Sequence, residues 1–206
     1  MQGFKAKMAI EKRPEMAYDR RVIITYFGDH AFRIESGSTA ILFNPPNNRL
    51  KADVTIWSEA VTNDPKLEGR EINFAGDYEI QGIEVRGWAV DTDKKKKEVE
   101  ITTSYLISWE DIHLAFLGPI DKRPGEATLD AWDGVGVLFL PVGDNFGLAV
   151  EEAVKLAKQL EPGYVIVYGP GLKDFSKKIG RELEKMEKLV FKRKDIPEKT
   201  TFITFS

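Results

Sequence analysis

The sequence contains no cysteine. A disulfide framework, a thiolate metal site and a cysteine nucleophile are therefore excluded, and the composition fits a reducing cytoplasm. Histidine is almost as scarce: His30 and His113 are the only two in 206 residues. No apolar run reaches the roughly 20 residues that span a bilayer as a helix. Met1–Arg21 is polar and charged and lacks the apolar stretch of a secretory signal. It reads as an N-terminal extension ahead of a single domain over 22–206. An excess of one charge is missing too: 30 basic against 33 acidic side chains give a net charge of −3. The two signs are interspersed, so there is no basic stripe to mark a nucleic-acid partner and no anchor for a membrane. The run Lys94–Lys97 is followed by Glu98 and Glu100, and reads as a solvated hairpin loop.

What is present is a succession of short apolar runs. Val22–Tyr26, Ala31–Ile34 and Ala40–Phe43 are β-branched or aromatic and are separated by Gly28–Asp29 and Ser36–Ser38, which predicts three strands. Asp53–Trp57 shows little alternation, as a central strand buried on both faces does. Ile72–Phe74, Asp77–Ile80, Ile83–Val90, Thr102–Ser108 and His113–Leu117 follow, with turns at Gln81–Gly82 and Trp109–Asp111. Gly136–Leu140 reads as a buried strand ended by Pro141.

Helical spacing appears late. Val150, Ala153, Val154, Ala157 and Leu160 share one face, and Pro162–Gly163 ends that helix. Tyr164–Tyr168 is a strand. Phe175, Ile179, Leu183 and Met186 predict a second helix, and Leu189–Lys192 and Thr200–Phe205 are closing strands. Strands first and βαβα elements last define an α/β layered sheet structure with helices outside.

Six phrases in this order carry a family resemblance. ITYFGDHAFRIE (Ile24–Glu35) is similar to a strand–Gly–His–Ser–x–Phe opening, and ILFNP (Ile41–Pro45) to an "ILxDP" strand end. ADVTIWS (Ala52–Ser58) resembles a strand that delivers a metal motif. GDYEIQGIEVRG (Gly76–Gly87) is similar to a "GExEIxGxxVxG" hairpin. LFLPVG (Leu138–Gly143) and the helix Val150–Glu161 with Pro162 resemble an "LxxPVGG…EEAxxxxxxxxP" segment. These are features of the metallo-β-lactamase superfamily, in the branch of Zn-dependent hydrolases related to ascorbate-6-phosphate lactonase. The resemblance spans about Val22 to Phe205 and implies an αββα sandwich, β-rich in its N-terminal half.

It also implies where metal ligands would stand. The superfamily uses H-x-H-x-D-H after one strand, then a later His, a bridging Asp and a final His, to hold metal ions that lower the pKa of a bound water. Laid after Ser58, the first ligand positions become Glu59, Val61, Asn63 and Asp64. The later His falls near Thr92. The motif HxGD becomes Phe116–Leu117–Gly118–Pro119, with Pro119 in place of the bridging acid, and the final His falls at about Gly169. These seven positions read as a vestigial site, with no catalytic residue, metal ligand or cofactor assigned. The expected function is a catalytically inactive fold member kept for binding or assembly. The alternative is a hydrolase with a rearranged carboxylate-based or unusual metal site, in which Glu59 and Asp64 hold a hard cation such as Mg²⁺.

Other residues have a bland and a sharp reading. Asp29 and His30 could form a proton-transfer pair, but neighbours on an extended chain point opposite ways. His113 reads as a strand-start residue. Gly143–Gly147 precedes a helix and could offer N–H groups to an anion, or be a plain helix-start loop. Trp57, Trp88, Trp109 and Trp132 read as core or rim aromatics.

Overall fold

A computed structural model describes residues 20–60, 71–90 and 101–206. The extension expected over 1–21 lies outside them except for Arg20 and Arg21, as does the basic run Lys94–Lys97. The described chain forms two face-to-face sheets. The first has the order β14 (Lys188–Phe191), β1 (Val22–Tyr26), β2 (Phe32–Ser36), β3 (Thr39–Phe43), β4 (Val54–Ile56), β6 (Glu71–Ile72). The second runs β13 (Glu184–Met186), β15 (Thr201–Phe205), β12 (Tyr164–Tyr168), β11 (Val137–Pro141), β10 (Ile112–Phe116), β9 (Ile101–Trp109), β8 (Ile83–Val90), β7 (Gly76–Ile80). A two-residue strand, β5 (Glu59–Ala60), pairs with β9.

Alternation along the strands splits the apolar residues into two layers. Ile24, Phe32, Phe43, Tyr105, Phe116, Phe139 and Tyr168 fill the space between the sheets. Leu106, Leu138, Val165 and Val167 face the other way and are covered by α1 (Glu126–Ala131), α2 (Val150–Leu160) and α3 (Leu172–Ile179), which bring Leu129, Leu156 and Phe175. The fold is the mixed α/β sandwich expected of the metallo-β-lactamase type. The hairpin turns fall where the sequence puts them. Gln81–Gly82 and Glu110–Asp111 each have positive φ at both residues, the type I′ geometry that matches strand twist.

Three expectations need correction. Asp53–Trp57 yields only the three-residue β4, which lies next to the short edge strand β6 rather than at the sheet's centre. Val54 and Ile56 are buried while Thr55 is half-buried, so one face carries the packing. The second helix stops at Ile179 because Gly180 takes the left-handed conformation (φ 71°), a common helix stop. Leu183 and Met186 therefore leave the helix, and Met186 joins β13, paired in parallel with β15. Helix α1 is too short for its periodicity to show, and it precedes the helices read from the sequence. Among the described residues no helix is long and apolar enough to cross a membrane.

Candidate functional site

A cleft of about 340 Å³ opens where the loops after β1, β3, β4, β10 and β11 meet. Asp29, His30, Asn44, Ser58, Glu59, Thr102, Pro119, Asp121 and the Asn145–Gly147 loop contribute to its wall.

Asn44 ties its floor together. Its Nδ2 donates to Ser58 Oγ (2.8 Å) and to the His30 carbonyl (3.3 Å), while its Oδ1 accepts from the Ser58 N–H (2.8 Å). Asn44 itself sits at φ 41°, a left-handed conformation that Asn tolerates better than most residues. The end of β4 is fixed further: Tyr105 donates to the Trp57 carbonyl (2.9 Å) and Thr103 N–H to the Ser58 carbonyl (2.8 Å). Gly118 lets this segment approach, since a Cβ there would stand 2.8 Å from Ser58 Cβ.

His30 is held on its edge and on one face. Nδ1 lies 3.2 Å from the Tyr168 hydroxyl, and Phe146 stacks on the imidazole at 4.4 Å between centroids and 21° between planes. Tyr168 is fully buried, and that burial, with Tyr26 nearby as a smaller cause, raises its pKa well above the ordinary value. Its hydroxyl therefore stays protonated. A protonated phenol both donates and accepts, so the His30 tautomer sets the direction of this bond: with the imidazole proton on Nε2, the Tyr168 hydroxyl donates to Nδ1. Burial, and secondarily the Asp29 charge, pushes Tyr26 up to about 12. Asp29 has φ 48°, so the chain is not extended here, and both Asp29 and His30 line the cleft. The expectation of opposite orientations assumed an extended chain, and a left-handed residue stands there instead.

Glu59 and Pro119 line the cleft. Gly169 lies beneath Phe146: a Cβ there would be 2.5 Å from Phe146 Cδ1 and 2.6 Å from the Val142 carbonyl oxygen. Val61, Asn63, Asp64 and Thr92 lie outside the described residues. Among the described residues, no group of three or more His, Asp or Glu side chains is placed to hold a metal ion. The Gly143–Gly147 loop does not offer its amides as a set, because the N–H groups of Gly143, Phe146 and Gly147 all bond to backbone carbonyls. His113 is exposed on β10, away from the cleft, and borders a separate groove with Glu84 and Ser108. Trp109 and Trp132 are buried, whereas Trp57 and Trp88 are half-buried.

Sequence reasoning missed Asn44, Thr102 and Asp121 as cleft residues, and Tyr168 as the partner of His30. Asn44 had a trace in the sequence, since it stands where the resembled "ILxDP" motif has Asp. The others come together only through sheet pairing.

A family model for the beta-lactamase superfamily domain matches residues 23–168. The chain belongs to that superfamily and carries its metallo-β-lactamase fold. Among solved structures it is similar to a Thermotoga maritima protein assigned as a Zn-dependent hydrolase of the metallo-β-lactamase superfamily, with TM-score 0.72, 20% identity, and 89% of this chain and 98% of that one covered. It is also similar to Igni18, a metallo hydrolase of Ignicoccus hospitalis, with TM-score 0.64, 16% identity and coverage of 83% and 98%. A third, the metallo-β-lactamase fold protein YhfI of Bacillus subtilis, gives TM-score 0.60, 10% identity and coverage of 84% and 100%. At these identities the likeness establishes the fold alone. No curated protein matches the chain.

Proposed function

We propose that this chain is a non-catalytic member of the metallo-β-lactamase fold, related to the Zn-dependent hydrolase branch, acting in the cytoplasm through binding or assembly. Fold does not carry function; the site does. The observation that supports the reading is the pair Pro119 and Gly169. Pro119 lines the cleft where the family's bridging acid would stand, and has no donor atom to offer. Gly169 stands where the last His would be, and the space a side chain needs there is taken by Phe146. With Val61 also apolar, the residues present do not fit a dinuclear metal set, and the water activation that such metals supply has no protein frame.

Metal analysis tests this reading. Protein expressed in zinc-supplemented medium should carry well under one zinc per chain and should not hydrolyse phosphodiester or lactone substrates in a chelator-sensitive way. About one zinc per chain, lost when Glu59 and Asp64 are replaced together, would sink it. The convergence of Asp29, His30, Glu59 and Asp121 on one cleft favours, as a second reading, a carboxylate-based hydrolase. That reading predicts chelator-insensitive hydrolysis abolished by Glu59→Gln.

A further inference from the structure

Among the described residues, β14, β6, β13 and β7 stand at the sheet edges. β14 carries Lys188, β13 carries Lys185 and β6 is two residues long. Lysine and shortness are usual guards of an exposed edge. β7 is the longest of the four, with the sequence GDYEI and neither Lys nor Pro.

The type I′ turn at Gln81–Gly82 fixes which groups β7 turns outward. Ile80 and Ile83 flank that two-residue turn, so they form the hydrogen-bonded pair that closes it. Bonded and non-bonded pairs alternate along an antiparallel ladder. Tyr78 therefore exchanges bonds with Val85, whereas Asp77 and Glu79 exchange none with Arg86 and Glu84 opposite them. The backbone N–H and C=O of Asp77 and Glu79 point to the open edge, where another strand can meet them.

The side chains are sorted as well. Tyr78 and Ile80 pack against the inter-sheet core yet stay half-buried. The Tyr78 hydroxyl donates to the carbonyl of Phe74 (3.1 Å), a residue left 38% exposed. Asp77 and Glu79 share the other face. Asp77 is paired with Arg86 (2.9 Å). Glu79 stands directly opposite Glu84, in the closer, non-hydrogen-bonded kind of pair, where like charges are destabilising. Neither glutamate has a cation or a donor as partner among the described residues.

We propose that β7 is a docking edge for an extended basic peptide segment of another protein, added as a further strand of the second sheet. The backbone of the segment bonds to Asp77 and Glu79. Its apolar side chains continue the row of Tyr78 and Ile80. A Lys or Arg between them lies over Glu79 and Glu84 and relieves their repulsion. Charge disfavours a second copy paired through the same edge, because Asp77 and Glu79 of one copy would then face Asp77 and Glu79 of the other. No residue of β7 lines the cleft, so the inference holds whether or not the cleft is catalytic.

Titration of the full chain into the fluorescent heptapeptide Thr-Val-Lys-Val-Lys-Val-Thr, capped at both ends and followed by anisotropy, tests it. One peptide should bind per chain in the micromolar range, and hydrogen exchange at the Asp77 and Glu79 amides should slow several-fold. The same peptide with Glu in place of Lys should bind about tenfold more weakly, and Glu79→Lys should reverse that preference. Asp77→Pro removes an outward N–H that β8 does not use. It should weaken binding about fivefold, the worth of one net hydrogen bond. Melting curves separate loss of binding from loss of fold, and the reversed preference of Glu79→Lys reads the edge even where the proline variant fails to fold. Absence of saturable binding, equal affinity for the two peptides, or exchange that slows elsewhere and not at Asp77 and Glu79 overturns the proposal. A peptide-free chain that is already dimeric, and that Asp77→Pro makes monomeric, overturns it too, since a second copy is then the occupant.

Discussion

The Phe146 ring covers Gly169 so closely that a Cβ on Gly169 would stand 2.5 Å from Phe146 Cδ1. Gly169 also has φ 109°, a conformation that costs an L side chain of order 1–3 kcal/mol. Gly169→Ala should therefore destabilise the protein by more than about 2 kcal/mol, measured by urea denaturation. Adding Phe146→Ala should recover only part of this, because the Val142 carbonyl oxygen remains 2.6 Å from the new Cβ. A single variant within 0.5 kcal/mol of wild type, the scatter of ordinary surface changes, would show that Phe146 does not constrain the position. Gly169→His should be worse still, and should bring in no zinc.

The hydrogen bond between His30 Nδ1 and the Tyr168 hydroxyl makes a second prediction. Tyr168→Phe removes one oxygen and keeps the buried ring, so stability should fall by about 1 kcal/mol, the usual worth of one such bond. In wild type, ¹⁵N NMR should find His30 protonated on Nε2. The chain has only two histidines, so Gln at position 113 leaves a single imidazole to assign. A dominant Nδ1–H form in wild type would make the Tyr168 hydroxyl the acceptor of this bond.

Asn44 supplies both a donor and an acceptor, and Asp cannot. Asn44→Asp turns an oxygen toward the His30 carbonyl in place of the Nδ2 that now donates to it. A loss of about 1–3 kcal/mol at neutral pH is expected for leaving such a group badly paired. The loss should shrink toward about pH 4, where an ordinary Asp carboxyl takes up a proton and regains a donor. Equal stability of the two proteins at pH 7 would remove Asn44 from its role as the tie between the loops.

These residues mark how far the sequence is legible. Alternating runs such as Ile83–Val90 and the glycine turn Gln81–Gly82 are local, and they appear in the structure where the sequence puts them. The phrases of the resemblance locate Glu59 and Pro119, which do line the cleft. Met186 was misread because its helical spacing from Ile179 says nothing about the turn at Gly180 that intervenes. Phe146 on Gly169 and His30 beside Tyr168, 138 residues apart in the chain, were not legible. They depend on which strand ends the two sheets bring together, and no local periodicity records that.

The tyrosines make the protein's stability fall at high pH. Tyr26 is pushed up to about 12, and Tyr168 is raised well above its ordinary value, each mainly by burial. Unfolded tyrosines ionise near pH 10. Below that pH both states hold the proton and stability is independent of these groups. Above it the unfolded chain loses protons that the folded chain keeps, so the unfolded state binds fewer protons and stability declines as pH rises. A tyrosine held protonated only in the folded state adds a slope of at most about 1.4 kcal/mol per pH unit, which the buried Tyr168 approaches and the half-buried Tyr26, screened by solvent, does not reach. For Tyr26 the slope ends near pH 12, where it titrates in the folded state too; for Tyr168 it persists further. Urea denaturation at pH 8, 10 and 11 should give a stability that is nearly flat to pH 10 and then drops. Tyr168→Phe should be less stable at pH 8 yet lose less between pH 10 and 11, so the two curves converge. Parallel curves over that interval would mean that the Tyr168 hydroxyl ionises in the folded protein as readily as in the unfolded chain, so that burial does not hold its proton.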